Sequence, residues 1–141
     1  MPRARTARAL ALALLALSVA GCVVYPSVSE IGGPRIRPEN GRAVRGTDGA
    51  TFYVDIKSTG KFGDVLLAAS SPVARRAILV DPAGLPLDRL EVPGATTVPL
   101  HPGGHHVVLA DFTRPLLAGE SIIVTLQFQK SGGIGVVTVV E

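Results

Sequence analysis

The 141-residue chain carries 14 Lys and Arg against 11 Asp and Glu, a formal charge of +3, with 47% hydrophobic and 4% aromatic residues. Three of the basic residues lie before position 22 and the rest of the chain is balanced at 11 basic and 11 acidic, which excludes the basic footprint that nucleic-acid binding requires. The single cysteine, Cys22, excludes intrachain disulfides, zinc–cysteine clusters and CxxC redox chemistry.

Arg3, Arg5 and Arg8 precede an apolar run from Ala9 to Ala20 that only Ser18 interrupts. About a dozen apolar residues are too few to span a bilayer, so residues 1–21 read as an export signal. The ending Val19-Ala20-Gly21-Cys22 resembles a bacterial lipobox. That resemblance implies cleavage before Cys22 and lipidation of its thiol, and therefore an exported chain held on the extracytoplasmic side, in the periplasm or at the cell surface. Residues 22–49 are rich in Gly, Pro and charge without a sustained period. They read as the lipidated cysteine plus a flexible tether, lending one strand at most, near Arg42 to Val44.

From residue 50 the pattern changes. In ATFYVDIKSTG, Phe52, Val54 and Ile56 alternate with Tyr53, Asp55 and Lys57, the period of two of a half-buried strand. DVLLAASS and ARRAILVD predict two more strands around Ser71-Pro72, and LDRLEVP and TTVPL another two around Pro93-Gly94. HHVVLADF is a further candidate. In SIIVTLQFQK, Ile122, Val124, Leu126 and Phe128 share one face, and Ser131-Gly132-Gly133 turns the chain into IGVVTVV, the partner of a terminal hairpin. That last strand is a candidate sheet edge, with Glu141 its only charged guard. No helical period survives without Gly or Pro. Seven or eight short strands over residues 50–141 predict an all-β, antiparallel β-sandwich, immunoglobulin-like in its layering.

The candidate chemistry is sparse. His101, His105 and His106 are the only histidines. If 105–108 is extended, His105 and His106 face opposite ways, while His101 could meet His105 across the Pro-Gly-Gly turn and borrow Asp81 or Asp111 as a hard metal site. Ser70 or Ser71 with His106 and Asp111 is a nominal triad without a nucleophile elbow, and the Ser-Ser-Pro is better explained as a turn. Asp81 and Asp88 read as solvated hairpin residues, Arg75-Arg76 as a polar strand start, and Phe52 and Tyr53 as ordinary strand residues. No enzyme is expected.

DVLLAASSPVARRAIL, the VPGATTVPLHPGGHH stretch and the later PLLAGESIIVTLQF run together resemble the PCu(A)C family of periplasmic copper chaperones, over roughly residues 50–140. The resemblance implies a cupredoxin-like sandwich that carries Cu(I) toward oxidase assembly with two histidines and two methionines. Carried across, one ligand position is His106, while the other three fall on Val80, near Gly84, and on Val108. The only methionine is Met1, within the signal. Because thioethers and imidazoles are what suit Cu(I), the expectation is a family member that has lost its usual copper site and binds no cofactor. It would be a protein-interaction module in envelope metal homeostasis or oxidase assembly, with the membrane, through Cys22, and copper-handling envelope proteins as partners. The alternative is a copper or other metal carrier using His106, with His105 and His101 as lesser candidates, and ligands supplied by a partner.

Overall fold

A computed structural model describes residues 33–141. Nine strands follow in chain order: β1 (Ile36–Arg45), β2 (Ala50–Ser58), β3 (Asp64–Ser70), β4 (Ala74–Val80), β5 (Leu90–Val92), β6 (Thr96–Leu100), β7 (His106–Phe112), β8 (Ser121–Phe128) and β9 (Gly132–Val140). They form one curled sheet in the order β4-β7-β2-β1-β9-β8-β3-β5, with β6 joining β2 beyond β7. The predicted strands from residue 50 onward are all present. Pairing is antiparallel except between β1 and β9, which run parallel through Arg42–Val139 and Ala43–Val140.

Two expectations need correction. The strand expected near Arg42 to Val44 is present, but it extends over 36–45 as β1, shortening the segment read as a tether, and it sits in the middle of the sheet between β2 and β9. Its alternation is broken by a bulge between Glu39 and Arg42, where Asn40 adopts a φ of 57°, so no single period runs through it. Gly41 allows the approach: a Cβ there would come within 2.6 Å of Val136 Cγ1. Pro38 is tolerated in this central strand because β9 pairs only with Arg42 and Ala43, leaving the proline stretch bonded on its β2 side alone. The second correction follows from the first. β9 lies between β1 and β8 rather than at an edge. The signal segment and Cys22 lie outside the described residues.

The core gathers the inward-facing alternate residues: Phe52, Val54 and Ile56 of β2, Val107 and Leu109 of β7, and Val124, Leu126 and Phe128 of β8 are each no more than 1% exposed. The edge strand β4 is half covered, since Leu87 N donates to the Leu79 carbonyl and Val80 bridges to Pro86. The remainder of that edge carries the exposed Arg75 and Arg76, which discourages pairing with another chain. Where β3 leaves the preceding loop, the buried carboxylate of Asp64 accepts hydrogen bonds from the backbone of Val65, Lys130 and Ser131 and from the Ser131 hydroxyl. One side chain thus ties the start of β3 to the β8–β9 turn.

Candidate functional site

β2 has two partners on one side. β7 pairs with Ala50 to Phe52 and β6 with Val54 to Ser58, so the chain must leave the sheet opposite Tyr53 to pass from β6 to β7. The excursion is the His-Pro-Gly-Gly-His turn. It closes through His101 N to the His105 carbonyl, 3.1 Å, and Gly104 N to the His101 carbonyl, 2.9 Å. The His101 ring lies over Gly104, where a Cβ would meet Nε2 at 2.7 Å. A larger residue there would displace the exposed His101 ring.

His101 Nδ1 lies 2.9 Å from the Pro102 carbonyl oxygen and His106 Nδ1 2.9 Å from that of Gly104. A carbonyl oxygen only accepts, so each Nδ1 carries the proton, and in the neutral ring Nε2 keeps its lone pair. His101 is exposed, whereas His105 and His106 are half-buried. Among the described residues, no three His, Cys, Asp or Glu side chains gather closely enough to hold a metal ion. The carboxylates proposed as borrowed ligands are engaged elsewhere. Asp81 Oδ1 accepts from the backbone N–H of Ala83 and Leu85, and Asp111 pairs with Arg76 at 3.7 Å. Ser71 closes the turn its sequence suggests by accepting from Ala74 N at its carbonyl, 3.3 Å, and its Oγ donates to the Ile123 carbonyl of β8 at 2.8 Å.

The strand register brings together positions that are far apart in sequence. Val80 on β4 is the direct cross-strand partner of His106 on β7, and directly opposed residues point to the same face. Val108, two residues on, shares that face and pairs with Ile78 and Thr51. Gly84, at a φ of 83°, turns the loop that follows β4, with its N–H on the Asp81 carbonyl. Three of the four positions that the copper-chaperone resemblance assigns to ligands, Val80, His106 and Val108, therefore share one patch of the outer sheet face. Val80 is 4% exposed under the segment that bridges to it through Pro86.

On the other side of His106, the Tyr53 ring sits 6.2 Å away centroid to centroid, tilted by 55°. The Arg42 guanidinium lies 5.1 Å above the Tyr53 ring and pairs with Glu141 at 3.5 Å. An outer row thus runs Val80, His106, Tyr53, Arg42 across β4, β7, β2 and β1. Phe52 is core, as its alternation implies. Tyr53 is more than an ordinary strand residue, because it stacks between a guanidinium and an imidazole. The sequence signal for it was the outward phase of β2, but its neighbours depend on register. An open cleft of about 790 Å³ lies at the opposite end of β7, between the β1–β2 turn, Phe112 and Leu116. There Arg45 donates to the carbonyls of Leu116 and Glu141, and no histidine is present.

This curled all-β sheet, with its outward histidine after a Pro-Gly-Gly turn, has the fold of PCuAC domains. A family model described as "Putative lipoprotein LpqE-like" matches residues 30–140, and the chain belongs to that LpqE-like family. The match begins upstream of residue 50, in agreement with β1 being part of the fold. A curated relative from Leifsonia xyli subsp. xyli, named "Putative lipoprotein Lxx21020", is 28% identical over 137 residues, covering 88% of this chain and 82% of that protein. Among solved structures, the copper-bound PCuAC domain from PmoF2 superposes with a TM-score of 0.68 at 26% identity, covering 78% of this chain and 94% of that one. The Cu(I) form of DR1885 from Deinococcus radiodurans shares the fold, with a TM-score of 0.65 at 22% identity over 80% of this chain and 82% of that one.

Proposed function

We propose that the protein is an exported lipoprotein, anchored through Cys22 on the extracytoplasmic side, that acts as a protein-interaction module and has lost the copper site of its fold. It is not an enzyme. The observation that carries this reading is the pair of valines around His106. Val80 faces it across the strand and Val108 follows it on the same face, and a hydrocarbon offers no lone pair to a cation. The remaining family position, near Gly84, has no side chain to offer. Cu(I) binds thioether, thiolate and imidazole donors, and the chain's only sulfur atoms belong to Met1 and Cys22. What the face offers instead is an arginine, a tyrosine, a histidine and apolar surface, the composition of a protein-binding patch. Copper-handling proteins of the envelope are the partner class that the copper-bound relatives of the fold support, and oxidase-assembly factors are the narrower class that the sequence resemblance implies.

A second reading has its own support. The Nδ1–H of His106 is held by the Gly104 carbonyl, the arrangement that orients an imidazole for ligation through Nε2. A partner bringing sulfur ligands would complete such a site, making the chain a carrier by docking. Titrating the purified lipoprotein in detergent with Cu(I) against a competing chelator separates the two. The module reading expects no binding tighter than about 1 µM. Tighter binding that disappears in His106→Ala overturns it in favour of the carrier.

A further inference from the structure

Phe62 stands 49% exposed on the loop from β2 to β3, with the Lys61 ammonium 6.0 Å from its ring centroid. The loop is pinned from both sides: Thr59 N donates to the Arg35 carbonyl at 3.0 Å and Ala95 N to the Gly60 carbonyl at 2.9 Å. One exposed ring is ordinary on a protein surface, but its surroundings are not. Arg37 and Lys57 oppose each other directly across β1 and β2, and both are exposed. Like charges so placed disfavour the pairing, and neither has a carboxylate partner among the described residues. Lys130 is exposed on the β8–β9 turn, which Asp64 ties to the start of β3. The carboxylates at this end are engaged, Asp64 by its hydrogen bonds and Glu91 by Arg89 at 2.7 Å. Glu39 and Asp55 lie two residues further along the strands.

This is also the end at which the chain enters the domain, since β1 begins with Ile36 opposite Ser58, the last residue of β2. Cys22 and Gly33 are eleven residues apart, a length of chain that reaches ~40 Å at most. A domain of this size is about 35 Å across. A bilayer holding Cys22 therefore meets the Phe62 end first. The opposite end, with the β1–β2 turn and Leu117, reaches it only if the tether runs fully extended along the whole domain.

We propose that the Phe62 loop and the cations around it form a membrane-contact surface, which seats the ring at the headgroup boundary of a bilayer rich in anionic phospholipid. This rests on the lipid anchor proposed for Cys22. Each Lys or Arg held within a Debye length of an anionic surface strengthens binding about five-fold, and the ring adds apolar burial at the boundary. The loop by itself binds weakly. The anchor makes its contact intramolecular, so a weak contact suffices to orient the domain. Docked in this way, the domain keeps His106 and Tyr53, which lie midway along the sheet, clear of the bilayer and open to a partner.

The full lipoprotein, reconstituted in vesicles of phosphatidylglycerol and phosphatidylcholine, tests this. The chain has no tryptophan, so Phe62→Trp and Leu117→Trp each introduce a single fluorophore, at opposite ends of the sheet. Leu117 is 67% exposed. Acyl-brominated lipid should quench the Phe62→Trp emission at least about two-fold and leave Leu117→Trp unquenched. Most of that quenching should be lost in about 0.5 M salt, and also when Lys57→Glu and Lys61→Glu are added, whereas Arg75→Glu, near the far end of β4, should preserve it. Flotation with vesicles of phosphatidylcholine alone reads the anchor separately. A chain that floats while Phe62→Trp stays unquenched, or is quenched no more than Leu117→Trp, keeps its anchor and overturns the membrane contact. Quenching that survives the charge reversals, or that Arg75→Glu abolishes equally, overturns it too. A chain that does not float loses the anchor, and the proposal falls with it.

Discussion

Replacing Asp64 by Asn tests whether one buried carboxylate holds the β8–β9 turn against β3. Asp64 is 3% exposed and accepts four hydrogen bonds: from Val65 N and Lys130 N at Oδ1, and from Ser131 N and Ser131 Oγ at Oδ2, at 2.6 to 2.9 Å. An amide keeps one acceptor oxygen and turns a donor toward the Ser131 pair. The hydroxyl can rotate and accept instead, but the Ser131 N–H is left facing a donor, and the remaining bonds lose their charge assistance. A loss of about 2–3 kcal/mol follows, a large fraction of the ~5–15 kcal/mol typical of a domain and about 10 °C in melting temperature. The pH dependence gives a second signature. Burial alone would raise the Asp64 carboxyl, but the Ser131 hydroxyl and the backbone N–H groups of Lys130, Val65 and Ser131 outweigh it and hold the group below its ordinary 3.8. A carboxylate depressed in the folded state contributes stability that is complete above the unfolded value and is lost as pH falls through the folded one. Thermal melts of both proteins from pH 7 to pH 2.5 should therefore converge at the acid end. A gap under ~0.5 kcal/mol at pH 7, or one that stays constant into acid, refutes the reasoning.

Two other substitutions have distinct expectations. Ser58 is 2% exposed and its hydroxyl is a buried group without a hydrogen-bond partner among the described residues, so Ser58→Ala should leave the denaturant midpoint unchanged or raise it, by up to ~1 kcal/mol in stability; a drop of that size would mean the hydroxyl is partnered. Cys22→Ser should move the exported chain from the membrane pellet to the soluble fraction on cell fractionation, and continued pelleting would remove the anchor from the proposed function.

The strands from residue 50 onward could be read because their buried residues recur every second position without interruption. Phe52, Val54 and Ile56 in β2, and Ile122 to Phe128 in β8, each expose one apolar face to a core that accepts it. β1 could not be read in this way. Its bulge at Asn40 and Gly41 resets the alternation, and Pro38 marks it as a poor strand unless one knows that β9 pairs only with Arg42 and Ala43. The central position of β9 was equally hidden, since only the parallel contact with β1 makes it an interior strand, and a parallel pair between the two ends of a domain leaves no local trace.

The site divides along the same line. Each strand of the sheet alternates between an inward residue that supports the fold and an outward one that does not. Val107 and Leu109 are fully buried in the core, whereas His106 and Val108 face out between them. The two sets are therefore independent: outward residues can change from ligands to valines without disturbing the inward packing that defines the family. That is why the turns around Ser71-Pro72 and Pro102-Gly103-Gly104, together with the strands they join, could carry the resemblance to a copper chaperone, while the outward valines support the proposed loss of copper at the same place. The pairing of Val80 with His106, and of His106 with Tyr53, depends on which residues the register sets side by side. Residue identity at Val80 could be noted from sequence. That it sits directly across from the one remaining imidazole, under the segment reaching Pro86, could not. This adjacency is what makes the valines informative, because a hydrocarbon beside a candidate ligand closes a site that the same residue elsewhere would leave open.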